Sequence, residues 1–177
     1  MPARRRLAKA GRCVTIAELN ALDRGPFIEA IGWIFEGSPW VAERAWDARP
    51  FADVDTLHQQ MTLVVSRAVR DEQLALLRAH PDLGARARMS DASVGEQARA
   101  GLDRLSPRDF ERLHALNSAY REKFAFPFLY AVKGSTPQQM LGALEQRLPR
   151  AVDDEFAEAL RQVGRIARFR LDTVVAG

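Results

Sequence analysis

The sequence has little cysteine, no long apolar run and almost no strand pattern. One cysteine, Cys13, occurs among 177 residues, so no intramolecular disulfide or cysteine-rich metal cluster can form. Such low cysteine use is typical of proteins in a reducing compartment. No apolar run approaches the roughly 18 residues that a membrane span needs. The N-terminus also has no apolar segment of the kind found in secretory signals. We therefore expect a cytoplasmic protein with no membrane partner.

Positive charge is concentrated at the N-terminus. The formal net charge is +3, but residues 1–17 contain five basic residues and no acidic one, so the rest of the chain carries −2. Residues 1–13 are expected to form a disordered, solvated tail, with a nucleic-acid-binding arm or an organelle-targeting peptide as the alternatives. The nearly neutral body disfavours nucleic acid as a partner.

The chain after the tail is typical of an all-α protein. With 47% hydrophobic residues, residues 14–177 suffice for one domain with a substantial core. The pattern predicts a compact bundle of about eight helices with no significant sheet. The only aromatic and β-branched run, FPFLYAV at residues 126–132, contains Pro127 and is expected to be extended or irregular.

Several helix starts carry recognisable caps. Thr15 with Glu18 forms a capping box, and Ser106 and Thr136 each precede a proline suited to the first helical turn. A helix containing Pro26 is predicted to end at Gly37. The remaining helices are predicted over SPWVAERAW, DVDTLHQQMTLVVSRAV, DEQLALLRAH and, at the C-terminus, residues 153–174.

The stretch RAHPDLGARA, residues 78–87, interrupts the helical pattern with a histidine followed by a proline. A residue before proline is displaced from the helical region, so the preceding helix should end near His80. The imidazole would then lie beside a helix C-terminus, where the macrodipole favours the cationic form. His80 is therefore either a proton-transfer residue or an ordinary, partly exposed residue of a helix end.

The last helix places an arginine on its apolar face. At about 100° per residue, Arg170 falls on the stripe formed by Phe156, Leu160, Val163, Ala167 and Val174. A buried arginine must be paired, because an unpaired buried charge is very costly. Its partner is either an internal carboxylate or an anionic ligand, for which a planar guanidinium is well shaped.

Two further segments could border a site. In SVGEQARAGLDRL, periodicity predicts a buried face made of Val94, Ala98, Gly101 and Leu105. Glu96 points nearly opposite to that face and complements the helix N-terminus, whereas Gln97 at the edge could reach a cleft. The irregular backbone of FPFLYAVKG could bind a small polar heterocycle, or it could be a buried connector. No metal-ligand spacing, phosphate-binding glycine loop or nucleophile elbow is present, so no metal or other cofactor is expected.

Five motifs, in order and in one frame, resemble a known family. They are FIEAIGWIFEGSPWVAERAW, HPDLG, S-x-x-EQ followed by AGLDRL, LNSAYREKFAFPFLYAVKG, and RIARFRLDTVV. This set is similar to the 2-oxo-4-hydroxy-4-carboxy-5-ureidoimidazoline (OHCU) decarboxylases of urate degradation. The resemblance covers nearly the whole chain after the tail.

The resemblance implies the site residues. It places the family's catalytic histidine at His80, its acidic residue at Glu96 and its arginine at Arg170. The implied substrate contacts are Pro81, Ser93, Val94, Gly95 and Gln97, with the backbone of Phe128, Leu129, Tyr130, Ala131 and Val132. The chain departs from the family in having Ala125 where KFGFPF has glycine, which is costly if the position requires a positive φ. The segment between His80 and Glu96 is also shorter.

The resemblance further implies a small-molecule substrate, a ureidoimidazoline carboxylate, and a homodimer. Loss of CO₂ would leave electron density that the substrate's own C=N and C=O groups delocalise, so no cofactor is needed. Proton delivery to one face would give (S)-allantoin. The alternatives are a helical nucleic-acid-binding or regulatory domain, and a family member that has lost activity.

Overall fold

A computed structural model describes residues 13–85 and 91–176 of the chain. These residues form nine α-helices, two short 3₁₀ helices and two two-residue strands. The predicted all-α fold class is therefore confirmed. Of the predicted tail, all but Cys13, which is exposed, lies outside the described residues.

The elements follow one another along the chain in a simple order. The α-helices are α1 (Ile16–Ala21), α2 (Arg24–Ile31), α3 (Trp40–Ala45), α4 (Val54–Arg67), α5 (Arg70–Ala79), α6 (Asp91–Arg99), α7 (Pro107–Phe124), α8 (Pro137–Arg147) and α9 (Val152–Val174). The 3₁₀ helices cover Trp46–Ala48 and Leu102–Arg104, and the strands are β1 (Val14–Thr15) and β2 (Val175–Ala176). The strands pair in parallel, with Val14 opposite Val175. No described helix is both long and apolar enough to cross a membrane.

The predicted caps are confirmed at three helix starts. Thr15 and Glu18 form a reciprocal capping box, and Thr136 forms another with Gln139. The Ser106 hydroxyl accepts a hydrogen bond from the backbone N–H of Asp109. Each cap satisfies backbone N–H groups that the first helical turn leaves without partners.

The prediction that the second helix reaches Gly37 is wrong, because α2 ends at Ile31. Ile34, Phe35, Glu36 and Ser38 are all buried, and one face of a helix cannot bury so many near-consecutive residues. The chain turns instead, and Gly37 adopts φ 56°.

Contacts divide the chain into two compact units, the first comprising residues up to Gln73 with those from Ala167 onward, the second Leu74–Ile166. The division falls within α5 and within α9. The first unit has an apolar core from α1 to α4, in which the rings of Phe27 and Phe51 stack at 6.1 Å. The second packs the ring of Tyr120 against those of Phe124, Phe126 and Phe128. The predicted single domain, 14–177, stays a prediction.

Candidate active site

The imidazole of His80 is buried and held in one orientation. Helix α5 ends at Ala79, as predicted, and His80 follows with 5% of its surface exposed, so it is not the partly exposed residue of an ordinary helix end. Its Nδ1 lies 2.9 Å from the carbonyl oxygen of Leu76. A carbonyl oxygen can only accept, so Nδ1 carries a hydrogen and donates it. Nε2 is therefore the nitrogen at which the ring can gain or lose a proton.

The residues after His80 form a sharp turn that requires glycine. Gly84 has φ 72°, a conformation that side-chain-bearing residues rarely adopt. A Cβ at this position would also lie 2.8 Å from Cδ2 of Leu113. The turn buries Leu83, which is 5% exposed. We call residues 80–84 the His80 segment.

Three side chains from α6 and α7 hold the His80 segment by hydrogen bonds. Gln97 accepts from the backbone N–H of Gly84 at 2.8 Å and donates to the carbonyl of Asp82 at 3.2 Å. Asn117 donates from Nδ2 to the carbonyl of Leu83 at 2.9 Å. Arg121 donates from Nε to both carboxylate oxygens of Asp82, at 2.8 and 3.0 Å. The backbone beside His80 is thus fixed by groups from outside the segment.

The predicted buried face of α6 is wrong. Ser93 and Gln97, one turn apart, are buried, whereas Val94 is 45% exposed. Ala98, Gly101 and Leu105 are only half-buried. The amide of Gln97 needs the backbone groups of the His80 segment, and this polar contact selects the buried face. Glu96 is half-buried beside Gln97.

The segment 126–132 is non-helical, as predicted, and three of its backbone groups have internal partners. The carbonyl of Val132 accepts from the backbone N–H of Ser135 at 3.0 Å, and the other two groups bind side chains. The carbonyl of Leu129 accepts from Nη1 of Arg147 at 2.8 Å, and the N–H of Ala131 donates to Oε1 of Gln162 at 2.9 Å. No described residue accepts a hydrogen bond from the N–H of Leu129 or of Val132. Phe128, Leu129, Ala131 and Val132 are buried, and Tyr130 is half-buried.

A buried ion pair anchors this segment. Arg147 Nε donates to Oε1 of Glu155 at 2.8 Å, and the Tyr120 hydroxyl donates to the same oxygen. Glu155 is fully buried and Arg147 is 5% exposed. Burial, followed by the hydrogen bond to Glu155, raises the pKa of Tyr120 well above its ordinary value. Removing Glu155 would leave the buried Arg147 without its carboxylate partner, at a cost of about 3–5 kcal/mol.

Ala125 does occupy a left-handed backbone conformation. It caps the C-terminus of α7 with φ 63° and ψ 17°, and its N–H donates to the carbonyl of Arg121. Its own carbonyl accepts from Nε of Arg78 at 2.8 Å, two residues before His80. The family's glycine is therefore replaced at a position where glycine is favoured.

Arg170 is buried, as its stripe predicted, and belongs to the first unit. It is 3% exposed, and its Nη2 lies 2.9 Å from Oε2 of Glu36. Its Nη1 donates to the carbonyl of Ile34 at 3.3 Å. Of the two partners expected for Arg170, the structure supplies the internal carboxylate. Phe156, Val163 and Ala167 of the stripe are also buried, whereas Leu160 and Val174 are half-buried.

Sequence reasoning missed the residues that support the site. Glu155, Ala159 and Gln162 lie at i, i+4 and i+7 on α9 and are all buried, so a second stripe at helical spacing was the available signal. Within residues 13–85 and 91–176, no three or more His, Cys, Asp or Glu side chains are arranged to hold a metal ion. The segment between His80 and Glu96, which is expected to be shorter than in the family, includes residues 86–90. These residues lie outside the described residues.

Several known proteins are similar to this chain over most of its length. An OHCU decarboxylase from Haloferax volcanii is 49% identical over 158 residues, covering 89% of this chain and 94% of that protein. One from Halalkalicoccus jeotgali is 46% identical over 159 residues, covering 90% of each. The uric acid degradation bifunctional protein PucL of Bacillus subtilis is 44% identical over 161 residues, 33% of its own length.

Solved structures agree on the fold. A crystal structure of (S)-allantoin synthase superposes with a TM-score of 0.77 at 31% identity, covering 92% of this chain and 54% of that one. A crystal structure of an OHCU decarboxylase, 23% identical, has a TM-score of 0.66 and shows the same fold. The OHCU decarboxylase family model matches residues 20–172. The motif resemblance is confirmed, and the chain belongs to the OHCU decarboxylase family.

Proposed function

We propose that the protein decarboxylates OHCU to (S)-allantoin and CO₂ in urate degradation. The observation that carries the proposal is the fixed imidazole of His80, which leaves Nε2 to exchange a proton beside a rigid turn. Support comes from relatives named OHCU decarboxylase that match nearly the whole chain. The (S) configuration proposed for the product is supported by a similar solved structure, named (S)-allantoin synthase.

The catalytic residues in this proposal are His80, Glu96 and Arg170. His80 transfers the proton, and Glu96 positions polar groups or shares the proton transfer. Arg170 orients anionic groups of the substrate through its planar guanidinium, with Glu36 holding one edge of that plane. The assignment of Glu96 and of Arg170 rests on the motifs.

Substrate contacts are proposed at two places in the second unit. One is Pro81 with α6, where Ser93 is buried and where Val94 and Gly95 would contribute backbone, and Gln97 an amide. The other is the backbone of residues 128–132. There the N–H groups of Leu129 and Val132 can donate to a heterocycle carbonyl and stabilise developing negative charge.

The reaction needs only proton transfer and charge stabilisation. The bond between the ring carbon and the carboxylate breaks, CO₂ leaves, and the electron pair stays on the carbon, delocalised into adjacent C=N or C=O groups. The nitrogen of the former C=N takes up one proton from solvent, and a proton from His80 adds to the neighbouring ring carbon that bears the ureido group. The hydroxyl on the carbon that lost CO₂ releases its proton and becomes the carbonyl of allantoin, and this proton restores His80 through solvent. Addition to a single face gives one enantiomer.

We propose in addition that the protein is a homodimer and acts in the cytoplasm. The homodimer follows from the family resemblance, and the cytoplasmic location follows from the single cysteine of the chain. Gel filtration with light scattering tests the first, since a monomer mass of 19.8 kDa is well separated from twice that value.

The test of the function is an assay on OHCU freshly generated from urate by uricase and hydroxyisourate hydrolase. We expect the substrate's ultraviolet absorbance to decay faster than without enzyme, with growth of circular dichroism from (S)-allantoin. His80→Ala should lose at least about 10²-fold in kcat with an unchanged far-ultraviolet spectrum. Racemic product at the background rate from folded wild-type protein would indicate an inactive family member and refute the proposal.

A further inference from the structure

The amide of Gln97 is engaged at both ends by the protein itself. Its oxygen accepts from the N–H of Gly84 at 2.8 Å, and its nitrogen donates to the carbonyl of Asp82 at 3.2 Å. Gln97 is 7% exposed. Both bonds go to backbone groups of one turn, so this amide fixes the position of the turn.

The turn that Gln97 bridges is the His80 segment. Helix α7 also holds this segment, through two of its side chains. Asn117 binds the Leu83 carbonyl, and Arg121 binds the Asp82 carboxylate. These contacts join the segment to α7, whereas the two bonds of Gln97 join it to α6. The residue before Gln97 on α6 is Glu96. A shift of α6 along the segment would therefore displace Glu96 relative to His80.

We infer that Gln97 is a positioning residue that keeps the helix carrying Glu96 in register with the segment carrying His80. The inference rests on the proposed function and deepens it, because it adds to the substrate contact proposed for Gln97 a link between two catalytic side chains. Gln97 acts through the backbone of Asp82 and Gly84. A displacement near 1 Å at reacting groups can cost about 10²-fold in rate, so the link matters for kcat.

The decisive variant is Gln97→Met, which keeps the side-chain length and removes both hydrogen bonds. We expect hydrogen exchange of the Gly84 amide to become about tenfold faster, since its acceptor is gone. We expect kcat to fall about 10- to 100-fold with KM changed less than about threefold. Gln97→Glu keeps an acceptor for Gly84 but cannot donate to the Asp82 carbonyl. It should recover part of the lost kcat.

Gln73→Met is the matched control. Gln73 also bridges to backbone, donating from Nε2 to the carbonyl of Val65 at 2.9 Å, and it has no place in the proposed site. Its variant should lose a comparable amount of thermal stability and keep kcat. A fall in kcat that tracked stability in both variants would overturn the positioning role.

The other outcomes of these experiments distinguish a wrong inference from a wrong proposed function. Raised KM with unchanged kcat in Gln97→Met would make Gln97 a substrate ligand alone and overturn the inference. Faster Gly84 exchange with both constants unchanged would also overturn it, as would unchanged exchange. An inactive wild-type protein would instead refute the proposed function, whatever the exchange of Gly84.

Discussion

Replacing Ala125 with glycine should stabilise the protein. Ala125 holds φ 63° and ψ 17° at the end of α7, and a left-handed conformation costs a non-glycine residue about 1–2 kcal/mol. Glycine removes this cost but gains conformational freedom in the unfolded chain, worth about 0.4–1 kcal/mol in the opposite direction. The methyl group is exposed, so little apolar burial is lost. The net gain should be about 0.5–1 kcal/mol in the free energy of unfolding.

Urea unfolding followed by circular dichroism measures this gain. We expect a higher midpoint with an unchanged slope, because the surface exposed on unfolding stays the same. The midpoint of thermal unfolding should rise by about 1–4 °C for a chain of this size. The hydrogen bonds of the Ala125 backbone to Arg121 and Arg78 use no side-chain atom of Ala125 and persist in the variant.

A second alanine on the same helix is the control. Ala115 is exposed in the interior of α7, where alanine to glycine costs about 1 kcal/mol. Ala115→Gly should therefore lower the unfolding midpoint while Ala125→Gly raises it. If both substitutions lowered the midpoint, the argument from left-handed strain would be wrong.

Three other substitutions test separate parts of the structure. Gly84→Ala should lower the free energy of unfolding in urea by about 1–3 kcal/mol, because Gly84 has a positive φ and an added Cβ would lie 2.8 Å from Cδ2 of Leu113. Arg170→Lys should lower kcat/KM by about 10²-fold because the planar fork is lost; near-normal activity would leave Arg170 as the structural partner of Glu36. The raised pKa of Tyr120 keeps its hydroxyl protonated in the folded protein while the unfolded chain ionises near pH 10. Stability should thus fall as pH rises above that value, and Tyr120→Phe should flatten this loss in unfolding measurements from pH 8 to 11.

Local chemistry made the helix ends predictable. Thr15, Ser106 and Thr136 satisfy nearby N–H groups with their own side chains, so the signal lies within four residues of sequence. The burial of Arg170 was likewise readable from its position on an apolar stripe. Its partner Glu36 was not, because it lies in a turn whose conformation depends on burying Ile34 and Phe35.

Apolar periodicity failed where polar contacts select the buried face. On α6 the apolar pattern pointed to Val94, whereas the buried residues are Ser93 and Gln97. On α9 most of the predicted apolar stripe is buried, but the buried face of the helix is wider than the stripe. It also includes Glu155 and Gln162. Glu155 accepts from Tyr120, 35 residues away in sequence, and Gln162 accepts from Ala131, 31 residues away. No local pattern encodes such a pairing.

These two failures have one physical cause. A buried polar side chain is tolerated only when its hydrogen bonds are made, so each one implies a backbone or side-chain group that needs a partner at that place. Here the groups that need partners are the turn after His80 and the irregular backbone at residues 128–132, which are the two parts of the proposed site in the second unit. Gln97 and Gln162 serve these two places, each by accepting from a backbone N–H. The two buried glutamines therefore identify the backbone segments of the proposed site, independently of any catalytic residue.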